Sequence, residues 1–144
     1  MIVRRLAPGD WEIFRDLRLE ALRLVPAAYA STLADWEPLE RDEWMRRLTV
    51  NTVFAAFHGD RPWGLLGLMP EGVIGMVYVR DEARRQGVAR AMMHAALDAA
   101  HQQKMPEIRL NVSHGNDGAM TLYTNMGFRP TGQDATQTFM ALTL

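Results

Sequence analysis

The stretch Val77-Tyr78-Val79-Arg80-Asp81-Glu82-Ala83-Arg84-Arg85-Gln86-Gly87-Val88-Ala89-Arg90 joins three unlike pieces: the end of an apolar run, a charged loop with one glycine, and the start of a helical pattern. A strand running through such a loop into a helix makes an anion site. The first turn of a helix presents unpaired backbone N–H groups and the positive end of the helix dipole. Gly87 lets a ligand approach the backbone closely, and Arg84, Arg85 and Arg90 add fixed positive charge. A phosphate or pyrophosphate is the natural guest. The loop lacks the G-x-x-x-x-G-K-[ST] of a P-loop and the G-x-G-x-x-G of a dinucleotide fold. The same residues also fit a plain basic turn between a strand and a surface helix.

Upstream, Val73-Ile74-Gly75-Met76-Val77-Tyr78-Val79 is nearly all apolar, as a strand covered on both faces would be, and Gly75 inside it suggests a bulge or a close backbone approach. Downstream, Val88, Met92, Ala95, Ala96 and Ala99 share one face of a helix running to about Gln103, with Arg90, His94, Asp98 and His101 opposite. Glu107–Val112 reads as a strand. Asn116 can cap a last helix carrying Ala119, Leu122, Tyr123 and Met126, and Gly127-Phe128 fits its left-handed C-terminal stop. Nearer the N-terminus, Ile2–Leu6 reads as a strand. A helix follows from Trp11 to about Val25, with Ile13, Phe14, Leu17, Ala21 and Leu24 at helical spacing. Residues 26–40 read as irregular, 40–48 as a short helix with Trp44 and Leu48 inward, and 52–57 and 63–69 as strands. Residues 138–144 suit a closing strand. The alternation of elements predicts an α/β or α+β fold with a mixed sheet.

Composition bounds the chemistry. The 144 residues are 48% hydrophobic and 23% charged, which suits one domain with a real core. No cysteine is present, so disulfides, thiolate metal sites and any cysteine acyl-enzyme are excluded. The formal charge of −1 speaks against nucleic acid or an anionic membrane as a partner. His58, His94, His101 and His114 show no ligand spacing, and no metal is expected. The N-terminus lacks the apolar core of a secretory signal, and the expected location is the cytoplasm.

Two separated motifs sharpen this picture. Arg84-x-x-Gly87-x-Ala89 after Val77-Tyr78-Val79 resembles the acyl-CoA signature, Q/R-x-x-G-x-G/A, of the GNAT superfamily of N-acyltransferases. Leu110-Asn111-Val112, Asn116-x-x-Ala119-x-x-Leu122-Tyr123 and Gly127-Phe128 resemble its second signature, and the element order agrees along nearly the whole chain. The resemblance implies one N-acetyltransferase domain over 1–144. Its expected fold is a mixed, mostly antiparallel sheet of six to seven strands flanked by about four helices and splayed between the fourth and fifth strands. It implies acetyl-CoA as cosubstrate, with the backbone of Val77 and Val79 along the pantetheine. The pyrophosphate would lie on the N–H groups of Arg85, Gln86, Gly87, Val88, Ala89 and Arg90, beside Arg84, and Asn116 would touch the CoA arm.

Tyr123 matches the family tyrosine that protonates the leaving thiolate, although an aromatic packed beside Leu122 is the plainer role. The expected reaction is direct attack of an amine of a small molecule, amino-acid derivative or peptide on the thioester. An acyl-CoA-binding sensor without turnover is the alternative. Residues 73–79 contain no carboxylate and Glu71 stands only at their start, which leaves a backbone-held water or a residue from elsewhere, such as Glu37, Glu40 or His114, as the base. In this fold the loop from Pro26 to Glu43 usually walls the acceptor site. Tyr29 and Trp36 there, with Asp35, Glu37 and Glu40, would suit a cationic amine, or would simply pack on the body. Relatives are often homodimers, and Phe139, Met140, Leu142 and Leu144 fit either a dimer surface or a core strand.

Overall fold

The computed structural model describes residues 1–144. In chain order the elements are β1 (Ile2–Arg5), α1 (Trp11–Leu24), α2 (Leu33–Trp36), α3 (Arg41–Val50), β2 (Thr52–His58), β3 (Arg61–Leu68), β4 (Ile74–Val79), α4 (Val88–Gln102), β5 (Glu107–Ser113), α5 (Asp117–Asn125), β6 (Arg129–Gln133) and β7 (Gln137–Thr143). Every strand pair within the sheets is antiparallel. One sheet has the order β1-β2-β3-β4 and the other β5-β7-β6. A single parallel bridge between Val73 and Arg109 joins them, where the Arg109 N–H donates to the Gly72 carbonyl at 2.9 Å. Beyond that bridge no ladder connects β4 to β5, and the two strands open into a V. The expected splay between the fourth and fifth strands is present.

Both faces of the first sheet are covered, which explains why β2 reads as one apolar run. Successive side chains of a strand point to opposite faces. Val53, Ala55 and Phe57 therefore join Phe14, Leu17, Trp44 and Leu48 of α1 and α3. Phe54 and Ala56 instead join Val88, Met92, Met93, Ala96 and Ala100 of α4, in a core that continues into Ile108, Leu110, Val112, Phe128 and Met140 of the second sheet. Helix α4 lies close on β3: a Cβ at Gly64 would stand 2.9 Å from the methyl of Met92 and 2.9 Å from the Tyr78 carbonyl oxygen. Only glycine fits there.

Strand β4 carries a bulge. Gly67 pairs with Gly75 and Leu65 with Tyr78, so one extra residue is accommodated between them. The strained residue is Met76, at φ 58°, and not Gly75. The bulge turns the strand over: Ile74 packs on the α4 side, whereas Met76 packs on the α1 side.

The remaining departures from the sequence reading are local. Residues 26–40 contain a 3₁₀ turn at Pro26–Ala28 and the one-turn helix α2. Thr32 starts α2 with a capping box: its Oγ1 accepts from the Asp35 N–H at 3.3 Å, and Asp35 Oδ2 accepts from the Thr32 N–H at 3.0 Å. Strand β6 is exposed at every residue and shows no apolar alternation to mark it. In α1, Leu24 is 63% exposed, and Leu22 and Arg18 take the inner face instead. Met140 is a core residue of β7, with Leu142 and Leu144 packed on the same cluster. No helix is long and apolar enough to cross a membrane.

Candidate active site

The V opens into a cleft of about 1050 Å³ between β4 and β5. Its β4 wall has backbone groups to offer. Tyr78 pairs with Leu65, and the Arg80 N–H donates to the Trp63 carbonyl at 2.9 Å, so those residues face β3. Alternation then turns the N–H and C=O groups of Val77 and Val79 into the V. The Val77 carbonyl is already engaged there, accepting a hydrogen bond from the Tyr29 hydroxyl at 2.8 Å.

The loop after β4 is anchored at its root. Arg80 grips the Glu20 carboxylate of α1 through Nε at 2.9 Å and Nη2 at 3.0 Å, and the Tyr78 hydroxyl donates to the same carboxylate at 2.7 Å. Burial pushes the Glu20 carboxyl up, but these hydrogen bonds outweigh it, and the group lies below its usual range. After this anchor, the six consecutive N–H groups of Arg85, Gln86, Gly87, Val88, Ala89 and Arg90 find no acceptor in the chain. The first intrahelical bond beyond them runs from the Ala91 N–H to the Gly87 carbonyl. Arg85 and Gly87 take positive φ, 62° and 76°, and curl the loop so that its amides form a concave cradle. A Cβ at Gly87 would meet no atom within 4 Å, so the chain itself leaves that space open. Of the three arginines here, Arg84 pairs with Asp81 at 3.0 Å. Arg85 and Arg90 are exposed and make no ion pair. Such a run of donors beside fixed positive charge suits a polyanion such as pyrophosphate.

Across the V, α5 presents Tyr123. A Schellman stop sets its position: the Phe128 N–H donates to the Tyr123 carbonyl at 3.0 Å and the Gly127 N–H to Thr124 at 3.0 Å, with Gly127 at φ 100°. The accompanying apolar contact is the Tyr123–Phe128 ring pair, 5.9 Å between centroids. Tyr123 is 6% exposed and lines the cleft. Its hydroxyl hydrogen-bonds to nothing in the chain, and burial pushes its pKa up to about 12. Asn116 also lines the cleft, and its Oδ1 accepts from the Ala119 N–H at 3.2 Å as the N-cap of α5.

The family model for the acetyltransferase (GNAT) domain matches residues 26–143. The chain belongs to the GNAT acetyltransferase family. N-acetyltransferase 8B of Mus musculus is 42% identical over 55 residues, which is 38% of this chain and 24% of that protein. The chain thus matches about a quarter of the length of that curated relative. Two solved structures show the same fold along the whole chain. Ribosomal-protein-alanine N-acetyltransferase from Brucella melitensis is 20% identical with a TM-score of 0.79, covering 100% of both chains. The yncA protein of Salmonella typhimurium, solved with its cofactor acetyl-CoA, is 17% identical with a TM-score of 0.80, covering 100% of this chain and 94% of that one.

The far end of this GNAT cleft, toward α1 and α3, differs from the sequence expectation. Tyr29 and Trp36 both line it, but none of the loop carboxylates does. Asp35 is spent on the capping box, and Glu37 and Glu40 point to solvent. Trp36 packs edge-on against Phe14 at 6.1 Å and tilts onto Trp44 at 5.4 Å, so it is largely a body contact. Arginines stand in place of acids. The cleft takes in Arg18, Arg46, Arg47, Arg84, Arg85 and Arg90, with no Asp, Glu or His. Glu71 and His114 also lie outside it. Sequence reasoning missed the first three arginines. The available signal was Arg18 itself, which falls between Leu17 and Ala21 on the apolar stripe of α1.

Proposed function

We propose that this chain is an acetyl-CoA-dependent N-acetyltransferase, a single domain over residues 1–144 that acts in the cytoplasm on a primary amine of a small molecule, amino-acid derivative or peptide. The run of six unpaired amides from Arg85 to Arg90, opening on the V between β4 and β5, carries the reading. It fits the charge of a CoA pyrophosphate, and a cleft of about 1050 Å³ has room for the pantetheine arm. Bound there, acetyl-CoA supplies a thioester carbonyl: a neutral amine forms the amide C–N bond as the C–S bond breaks.

The roles of the chain's own residues follow from that arrangement. Val77 and Val79 bind the pantetheine through backbone, Asn116 steadies α5 beside it, and Arg84 adds charge to the cradle. The hydroxyl of Tyr29 sits on the Val77 carbonyl and yields that acceptor when the arm enters. Tyr123 stays protonated at neutral pH and donates its proton to the leaving thiolate. Its pKa of about 12 lies roughly 3.5 units above that of a free thiol. The same desolvation acts on a thiolate held in the cleft and narrows the gap. With no carboxylate or imidazole in the cleft, the amine's proton leaves through water. The surrounding arginines favour the neutral amine, because positive charge in a secluded site lowers an ammonium pKa. The chain contains no cysteine, so transfer is direct.

The absence of a side-chain base in the cleft favours one second reading, an acyl-CoA-binding sensor without turnover. Calorimetry with acetyl-CoA, followed by a thiol-dye assay of CoA release across a panel of amines, separates the two. Binding with turnover is the expected result. Binding with no turnover across the panel establishes the sensor, and no binding overturns both. Only released CoA responds to the dye, because the chain carries no thiol.

A further inference from the structure

Arg18 is 3% exposed, its Nε and Nη1 meet no hydrogen-bond acceptor, and no carboxylate pairs with it. It nevertheless lines the cleft. Its guanidinium lies over the Tyr29 ring at 4.9 Å and the Trp36 ring at 4.6 Å, and Arg47 lies over the same Trp36 ring at 4.4 Å. The aromatic faces offset part of the cost of burying this charge. They leave Nε and Nη1 of the guanidinium unsatisfied, and a buried donor without an acceptor is destabilising. Burial, reinforced by the neighbouring Arg47, lowers its pKa to about 10, so it remains a cation at neutral pH. Arg47 has its own partner, with Nε donating to Glu43 Oε2 at 2.8 Å. The acid missing beside Arg18 is therefore not in the protein.

We propose that Arg18, supported by Arg47, binds a carboxylate on the acceptor, so that the substrate is an amine carrying its own carboxylate, of the amino-acid class. Nη2 makes no hydrogen bond within the chain and is the nitrogen not sealed off; it shares one edge of the planar guanidinium with Nε and the other with Nη1, so a carboxylate seated on either edge accepts two parallel hydrogen bonds, and the two rings fix that plane in advance. A cationic acceptor, by contrast, would meet arginines and no carboxylate on the cleft walls, since Glu43 and Asp81 lie outside the lining and are already paired with Arg46, Arg47 and Arg84. The proposal rests on the acetyl-transfer reading for the word substrate, but the anion subsite is testable without turnover.

The test uses the purified full-length chain in two arms. The first measures, by calorimetry in the presence of saturating CoA, the affinity of N-acetyl amino acids and of their C-terminal amides. The second measures CoA release with free amino acids and with the matching amides. The expected result is that the acids exceed their amides by about tenfold or more in both arms, the scale of a charge-assisted hydrogen-bond pair. Arg18→Met should bring the ratio close to one, chiefly through KM, and Arg18→Lys should keep part of it. Acetyl-CoA affinity should stay within twofold in both variants. If Arg18→Met fails to fold by circular dichroism, Arg47→Met takes its place, with a smaller loss expected. Amides or cationic amines preferred over the acids by the unaltered protein would overturn the proposal. Failure of any amine to react while acetyl-CoA still binds overturns the transfer reading alone; the calorimetric ratio still decides the subsite.

Discussion

In the proposed transfer, Tyr123 meets the strictest chemical demand, because it gives a proton to the leaving thiolate. Replacing it with phenylalanine removes one oxygen and keeps the ring contact with Phe128. Tyr123→Phe should lower kcat by about 10²-fold or more while leaving acetyl-CoA affinity unchanged. A loss below about threefold in a folded variant would remove its role as proton donor. Gly87 tests the other end of the cleft. Valine there would have to hold φ 76°, which costs a β-branched residue about 1–2 kcal/mol, and it would fill the space the amide cradle leaves open. Gly87→Val should weaken acetyl-CoA binding by at least tenfold in calorimetry; unchanged affinity would refute the cradle. The turn at Gly87 and the cap at Asn116 were legible in the sequence because their signals are local, whereas Tyr123 stood out from the other aromatics only through the family resemblance. Arg18 was not legible, because its burial depends on Tyr29 and Trp36 folding back over it from a loop with no strong pattern.

Among the elements, α5 shows how a stop signal positions the tyrosine proposed as proton donor. Gly127 at φ 100° lets the Phe128 N–H reach back to the Tyr123 carbonyl. Alanine there would be strained and would crowd the Leu142 methyl at 3.3 Å. Gly127→Ala should destabilise the fold by about 1 kcal/mol or more, read as a lower urea midpoint, and should lower turnover through Tyr123. The C-terminal stop was readable from Gly127-Phe128 alone. The β4 bulge was readable only as a hint at Gly75, since its true place at Met76 is set by register against β3. No property of the strand taken by itself reports that register. Strand β6 escaped notice for a related reason: it pairs through backbone while exposing every side chain.

Taken whole, the molecule holds all three of its tyrosines in surroundings that oppose ionisation. Burial raises Tyr29 and Tyr123 to about 12, and burial with the Glu20 carboxylate raises Tyr78 as well. In the unfolded chain each would titrate near 10. Below that value both states are protonated, and the folded state keeps its full stability. As pH rises from about 10 toward 12 the unfolded chain ionises first, and stability falls. Absorbance at 295 nm should therefore show almost no phenolate in the native protein at pH 10, and alkaline unfolding should release all three together. A native titration midpoint near 10 would contradict the packing around these rings.

The arginine-lined cleft has one further consequence, for kinetics. The chain's net charge is −1, yet the cleft walls carry six arginines and no acid; Arg46 and Arg47 share Glu43 and Arg84 pairs with Asp81, which leaves Arg18, Arg85 and Arg90 without an acidic partner. Arg85 and Arg90 are the exposed ones among these, so the cleft mouth at the amide cradle is locally positive. A polyanion approaching from solution is turned toward that mouth before any contact forms. Salt shortens the reach of this field, from about 30 Å at 0.01 M to about 8 Å at physiological ionic strength. Stopped-flow association with CoA should slow by about tenfold across that range while dissociation hardly changes.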